Sequence, residues 1–182
     1  MKIRPYILLA DKKTAVYEPE RMYSQSDVYG IVFSDVTGEH IRVLAPKEIQ
    51  EQHLLESGVE MPNKNVCHNV VDALFDFNGH INTYEFENAG SDVVKTVKEQ
   101  FGNEWFIPSL GELIPVIHYR EIIDFLLSYI KDSYRISKSM ELWTSSIYDN
   151  DDAYYCYTGN GYIGSSSFKH ALTVIPITLL PE

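Results

Sequence analysis

Between Ser145 and Ser167 the chain places five tyrosines (148, 154, 155, 157, 162), five serines (145, 146, 165, 166, 167), three glycines (159, 161, 164) and the run Asp149-Asn150-Asp151-Asp152. The chemistry open to such a set is recognition rather than bond making. Tyrosine offers a large amphipathic contact at low entropy cost, while Ser, Gly and Asn adapt their hydrogen bonding. Aromatic rings stack on sugar faces or fill protein pockets, and the polar groups fix orientation. The competing reading, that strand tyrosines are half-buried sheet residues, bears on Tyr155, Tyr157 and Tyr162 individually. Against it for the surface as a whole stands Ser165-Ser166-Ser167, since three small hydroxyls add little to a core.

Other chemistries find weaker support. Asp149, Asp151 and Asp152 offer oxygens to calcium, but without a paired Glu/Asn set they read as a solvated acidic turn. Asp76-Phe77-Asn78-Gly79 resembles a piece of an EF-hand loop, lacks its later Glu, and reads as a β-turn. The histidines at 40, 53, 68, 80, 118 and 170 show no zinc-site pairing. No nucleophile elbow, phosphate loop or dinucleotide fingerprint occurs. Cys67 and Cys156 have no metal-like spacing and read as two buried thiols, with a disulfide as the other reading. No cofactor and no metal are expected.

The elements that must hold these residues follow from pattern. Asp27–Asp35 and Glu39–Ala45, joined by Val36-Thr37-Gly38, form a hairpin. Residues 46–58 give a short polar helix or loop, and 61–67 a connector toward Val70–Phe75. Ser91-Asp92 caps a helix with Val93, Val94, Val97 and Phe101 on one face and Gly102 at its end. Ser109 and Glu112 have capping-box spacing, with Leu110, Leu113, Ile114 and Ile117 as the buried stripe. Pro115 should kink or stop that helix, and another follows over 121–131. Strands are expected at 141–145, 153–158, 162–168 and 172–179, and Asn160-Gly161 predicts a type I′ hairpin. Alternation puts Tyr155 and Tyr157 on one face and Tyr154, Cys156 and Thr158 on the other.

With 182 residues, 45% hydrophobic and 13% aromatic, the chain can bury one full core. A formal charge of −11 and pI near 4.9 set it against nucleic acid and anionic lipid surfaces. The six-residue apolar run Pro5–Ala10, cut off by Asp11-Lys12-Lys13, is neither signal peptide nor membrane span. An intersubunit strand is the suggestion it carries.

Four motifs in order resemble a known group. Asp76-Phe-Asn-Gly-His-Ile-Asn-Thr83 is similar to its D-x-D-G-x-x-N-T, Trp105–Leu113 to W-x-L-P-S-x-G-E-L, Leu142–Tyr148 to Y-W-S-S-T-E-Y, and Ala153–Gly161 to A-W-Y-V-x-F-x-D-G. The group is a domain of unknown function in many gut-bacterial and phage proteins, C-type-lectin-like and related to the variable proteins of diversity-generating retroelements. The likeness covers roughly residues 27 to 178. The group's closing arginine is missing from Val174-Ile-Pro-Ile177.

The resemblance implies an α+β, C-type-lectin-like fold, with two or three helices packed on small, mostly antiparallel sheets. Residues 27–182 would form that domain, and 1–26 an N-terminal extension for docking or oligomerisation. The resemblance also implies that Tyr154 stands where the group has a core tryptophan, which turns Tyr155 and Tyr157 outward. Sulfatase-activating enzymes share this fold and use cysteine chemistry, but Cys156 occupies a core strand position without a partner thiol, so no enzyme activity is expected. The expected ligand face is Tyr148, Asn150, Asp151, Tyr155, Tyr157, Tyr162, Ser165, Ser167 and His170, recognising a surface carbohydrate or protein. Assembly into a phage virion, as a homo-oligomer or with other virion proteins, is the expected setting; a cytoplasmic place, or a bacterial surface reached through a partner, is the alternative. The other functional reading is a structural or decoration protein with no small ligand.

Overall fold

The structure, a computed structural model, describes residues 4–35, 37–56, 59, 61, 65–136 and 139–181. In chain order its elements are β1 (Tyr6–Leu9), β2 (Ala15–Val16), β3 (Val28–Ser34), β4 (Ile41–Leu44), β5 (Ile49–Gln52), α1 (Val70–Leu74), α2 (Gly79–Asn88), α3 (Asp92–Phe101), α4 (Leu110–His118), α5 (Arg120–Leu127), β6 (Glu141–Ile147), β7 (Asp152–Tyr157), β8 (Tyr162–Ser167), β9 (Leu172–Val174) and β10 (Ile177–Leu179). The strands build two five-stranded sheets, ordered β10-β4-β3-β1-β2 and β5-β9-β6-β7-β8. Every pairing is antiparallel except β6 with β9. The architecture is therefore α+β, as expected.

The first sheet is covered on both faces. On the first, Ile7, Ile31, Phe33 and Leu44 meet Leu110, Leu113, Leu126 and the second sheet's Leu142, Tyr154 and Cys156, while Leu8, Val32 and Val43 look the other way toward Phe86, Val94, Trp105 and Trp143. This double covering explains why Val28–Phe33 reads as a nearly unbroken apolar run rather than an alternating one. Each fully buried Leu, Ile, Val or Phe contributes about 1.5–3 kcal/mol relative to exposure.

The hairpin at 27–45 forms as β3 and β4, and α3 begins and ends where Ser91 and Gly102 place it. Ser91 does not cap by its side chain; its hydroxyl donates to the Leu54 carbonyl at 2.6 Å. The capping box of Ser109 and Glu112 is present, and the helix passes Pro115 to reach His118 before α5 starts at Arg120.

Several expectations are corrected. Five helices rather than two or three occur among the described residues. The segment Asp76–Gly79 is not a free β-turn but leads into α2, with Asn78 at its N-cap position. That helix buries Gly79, Asn82, Thr83 and Phe86, a regular helical stripe in which only one residue is apolar, so hydrophobic periodicity could not reveal it. The strand expected over 172–179 breaks at Ile175-Pro176 into β9 and β10, which belong to different sheets.

The turn at 158–161 is not type I′. That turn needs φ > 0 at both central residues, whereas Gly161 is at +72° and Asn160 is not in the left-handed region. Four residues separate the paired Tyr157 and Tyr162, and Gly161 N–H closes the loop on the Tyr157 carbonyl at 2.9 Å. Tyr6–Leu9 pairs on both sides within its own chain, with β2 and β3, so the described part of residues 1–26 supplies two strands of the first sheet. Val36, where the sequence puts part of a turn, lies outside the described residues, as do parts of 57–64.

Candidate functional site: a tyrosine surface divided by its own sheet

The motifs behind the family resemblance form a buried polar frame that fixes the start of the tyrosine-rich segment. Glu112 Oε1 accepts from Arg42 Nε at 2.8 Å, and Oε2 accepts from the backbone N–H groups of Ser109 and Gly79 at 3.0 and 3.1 Å. Asp76 Oδ2 accepts from Ser146 Oγ at 2.6 Å and Asn82 Nδ2 at 2.9 Å, and its Oδ1 from the Asn78 N–H at 3.0 Å. Ser146 Oγ in turn accepts from the Leu110 N–H at 2.9 Å. The frame thus ties α2, α4 and β6 together at one point. Its glycines are there for close approach: a Cβ on Gly79 would stand 2.2 Å from Glu112 Oε2, and one on Gly111 2.5 Å from the Asp76 carbonyl. Nothing in the sequence marks these carboxylates as mutually buried except the Ser109–Glu112 spacing.

From this frame β6 runs to Ile147 and turns into β7, with β8 as the outer strand. The register pairs Tyr157 with Tyr162, Tyr155 with Gly164 and Ala153 with Ser166 on one face; on the other it pairs Tyr154 with Ser165, Cys156 with Ile163 and Asp152 with Ser167. The expected alternation holds, with Tyr154, Cys156 and Thr158 buried and Tyr155 and Tyr157 half-buried. The nine expected ligand residues, however, do not share one surface. Tyr155, Tyr157 and Tyr162 lie together, and His170 joins their side through a Ser166 Oγ···Nδ1 hydrogen bond. Ser165 and Ser167 point to the opposite face, because a strand's period of two separates consecutive odd and even partners of its neighbour.

On the tyrosine side the Tyr155 and Tyr162 rings lie 6.3 Å apart at 60°, with Tyr162 57% exposed and Tyr155 packed at the margin of the core around Trp143. Tyr148, Asn150 and Asp151 instead line a separate cleft of about 550 Å³ with Val66, His68, Asp149 and Asp152. There the Tyr148 ring stands edge-on to Tyr154 at 5.5 Å, and Tyr154 donates its hydroxyl to the Cys67 carbonyl at 3.0 Å. Asp149 Oδ1 closes its own turn by accepting from the N–H groups of Asp151 and Asp152 at 2.9 and 3.0 Å. Among the described residues no three His, Cys, Asp or Glu side chains converge on a metal position. Burial pushes the thiols of Cys67 and Cys156 up to about 11, so at neutral pH neither is a thiolate nucleophile.

Asp152 carries a testable electrostatic signature. Partial burial, then the neighbouring Asp149 and Asp151, raise its carboxyl above the usual aspartate value. The folded state therefore holds this proton more tightly than the unfolded chain, and Asp152 opposes folding once pH rises above the aspartate range. Asp152→Asn is expected to stabilise the protein at pH 7 by about 0.5 kcal/mol or less, given solvent screening. The gain should vanish as pH falls through the carboxylate range, where both states are protonated. Thermal melts at pH 3 and pH 7 check this, and an equal gain at both would remove charge as the cause.

Two mostly antiparallel five-stranded sheets with five α-helices among the described residues define an α+β scaffold. Neither a protein-family profile nor any curated protein matches the chain. Among solved structures the fold is similar to that of a fimbrial protein from Bacteroides ovatus, with a TM-score of 0.67 at 16% identity. The match covers 98% of this chain and 49% of that one, so this chain spans about half the length of its structural neighbour. At that identity the likeness establishes the fold alone.

Proposed function

We propose that this chain is a non-enzymatic recognition module of a surface assembly, meeting a carbohydrate or protein through the tyrosine face of β7 and β8. The observation that carries this reading is the pair of half-buried Tyr155 on β7 and exposed Tyr162 on the edge strand β8, with Tyr157 beside it. Rings held by a sheet lose little entropy on binding, and Ser166 and His170 supply orienting polar groups at the same face. The cleft of Tyr148, Asn150 and Asp151 is a distinct contact zone around the β6–β7 turn, and Ser165 and Ser167 belong to its side of the sheet. The finer fold assignment, C-type-lectin-like, is supported by the order of the four motifs.

A phage virion and a fimbria-like fibre are both assemblies of the required kind, and the likeness in fold to a fimbrial protein supports a fibre or tip. No helix among the described residues is long and apolar enough to cross a membrane. One feature favours a structural role as the second reading. The outer strand β8, Tyr162–Ser167, has no Lys, Pro or bulge along its six paired residues, so its free edge can accept a strand from another subunit.

A glycan array with and without calcium, run on the wild type and on a Tyr155→Ala/Tyr162→Ala variant with an unchanged melting profile, separates these readings. Binding by the wild type that the variant loses is the expected result. Binding unaffected by the double substitution would overturn the tyrosine face as the site. Absence of any binding would transfer the function to assembly through β8.

A further inference from the structure

We propose that a groove remote from the tyrosine face, between β3, β10, α2 and the end of α3, is a second binding site built for a neutral saccharide chain. It encloses about 550 Å³, within the roughly 300–1,000 Å³ of small-molecule sites. Its lining includes the buried rings of Trp105 and Phe106 and the ring of Tyr84, which is 58% exposed and makes no ring contact among the described residues. An exposed ring in a groove lined by buried aromatic side chains suits the apolar face of a sugar.

The polar groups at the rim decide the ligand's charge. Lys12 Nζ lies 3.6 Å from Glu104 Oε1 and 4.4 Å from the centre of the Tyr29 ring, and Lys98 Nζ is bonded to Glu87 Oε2. Two ammonium groups are thus balanced by two carboxylates, on a chain whose formal charge is −11. The groove has no surplus of either sign to offer an ionic ligand. Each ammonium carries three donors and each carboxylate several acceptor sites, so the paired groups retain hydrogen-bonding capacity at held positions, which matches adjacent hydroxyls. Asn103 and His80 line the same groove.

Other occupants fit less well. A peptide adding to the β10 edge would need the main-chain groups of Ile177, and these are already exchanged with Phe106 at 2.9 and 3.0 Å. An acyl chain would have to desolvate charged heads at the rim without compensation.

The site is independent of the tyrosine face, and the test keeps the two apart. Saturation-transfer NMR at millimolar concentration would use cellotriose, maltotriose and mannotriose as neutral probes and trigalacturonate as the charged one. The proteins are the wild type, Tyr84→Ala, Glu104→Gln and the Tyr155→Ala/Tyr162→Ala variant. Transfer is expected to at least one neutral trisaccharide, at least about tenfold weaker in Tyr84→Ala or Glu104→Gln, equivalent to about 1.4 kcal/mol, and retained in the tyrosine-face variant. Having two single variants guards against one that fails to fold. No transfer to any neutral probe, transfer unaffected by both groove substitutions, loss in the tyrosine-face variant, or preference for trigalacturonate would each overturn the proposal.

Discussion

Replacing Glu112 by alanine is expected to lower stability by about 3–5 kcal/mol, the cost of breaking a buried ion pair and leaving one charge uncompensated. Glu112 is 1% exposed, and Arg42, its partner at 2.8 Å, is itself buried. The same carboxylate accepts from the Gly79 and Ser109 N–H groups, whose loss of a partner costs about 1–3 kcal/mol each before relaxation. A domain of this kind is stable by about 5–15 kcal/mol in total, so the change removes a large fraction. Urea unfolding followed by tryptophan fluorescence measures it.

The paired variant Arg42→Met/Glu112→Leu should recover part of the loss, because the guanidinium is no longer stranded, but not all of it, because the two N–H groups remain unsatisfied. A loss under about 1 kcal/mol in Glu112→Ala would show that the frame is not what holds α2, α4 and β6 in register.

Trp143→Ala carries the second large effect, about 3–5 kcal/mol for truncating a buried aromatic side chain. Trp143 has no exposed surface, and its indole Nε1 donates to the Gln52 carbonyl at 3.0 Å. It therefore joins β6 to the segment 52–55, which is also held by Leu54 N–H on the Phe168 carbonyl at 2.9 Å. Trp143→Phe keeps most of the volume and loses the hydrogen bond, for an expected cost of about 0.5–1.5 kcal/mol. Amide exchange gives the sharper readout. In Trp143→Phe the Leu54 amide should lose protection ahead of the β3–β4 amides, and uniform loss across both sheets would mean that Trp143 does not specifically secure this segment. Tyr155 packs at the edge of the same core, so the tyrosine face should loosen with it.

Much of this was legible in the residues themselves. The α3 and α4 helices announce their ends through Ser91, Gly102, Ser109 and Glu112, and the β3–β4 and β7–β8 hairpins through short-range pattern, because caps, turns and alternation are local properties. Helix α2 was not legible. Its buried stripe is Gly79, Asn82, Thr83 and Phe86, and apart from the bond of Asn82 to nearby Asp76 it is held by partners distant in sequence, Glu112 on the Gly79 N–H and Ile107 on the Thr83 hydroxyl, which no local pattern reveals.

The candidate site divides the same way. Composition picked out the tyrosine-rich segment and the strand period its alternation, while the family resemblance implied which face is buried, Tyr154 inward and Tyr155 and Tyr157 outward. None of these could show that Ser165 and Ser167 stand across the sheet from Tyr155, since that depends on the register of β7 against β8, nor that Tyr148, Asn150 and Asp151 open into a different cleft. The groove lined by Tyr84 gathers residues from position 12 to position 181, which no local pattern relates. The sequence by itself determined the ends of α3, the start of α4, the β3–β4 and β7–β8 hairpins and the residue types of the tyrosine-rich segment, because each is a local property, while the α+β class was implied by the family resemblance. Tertiary structure alone decided which side chains share a surface, because that is set by strand register and by long-range burial.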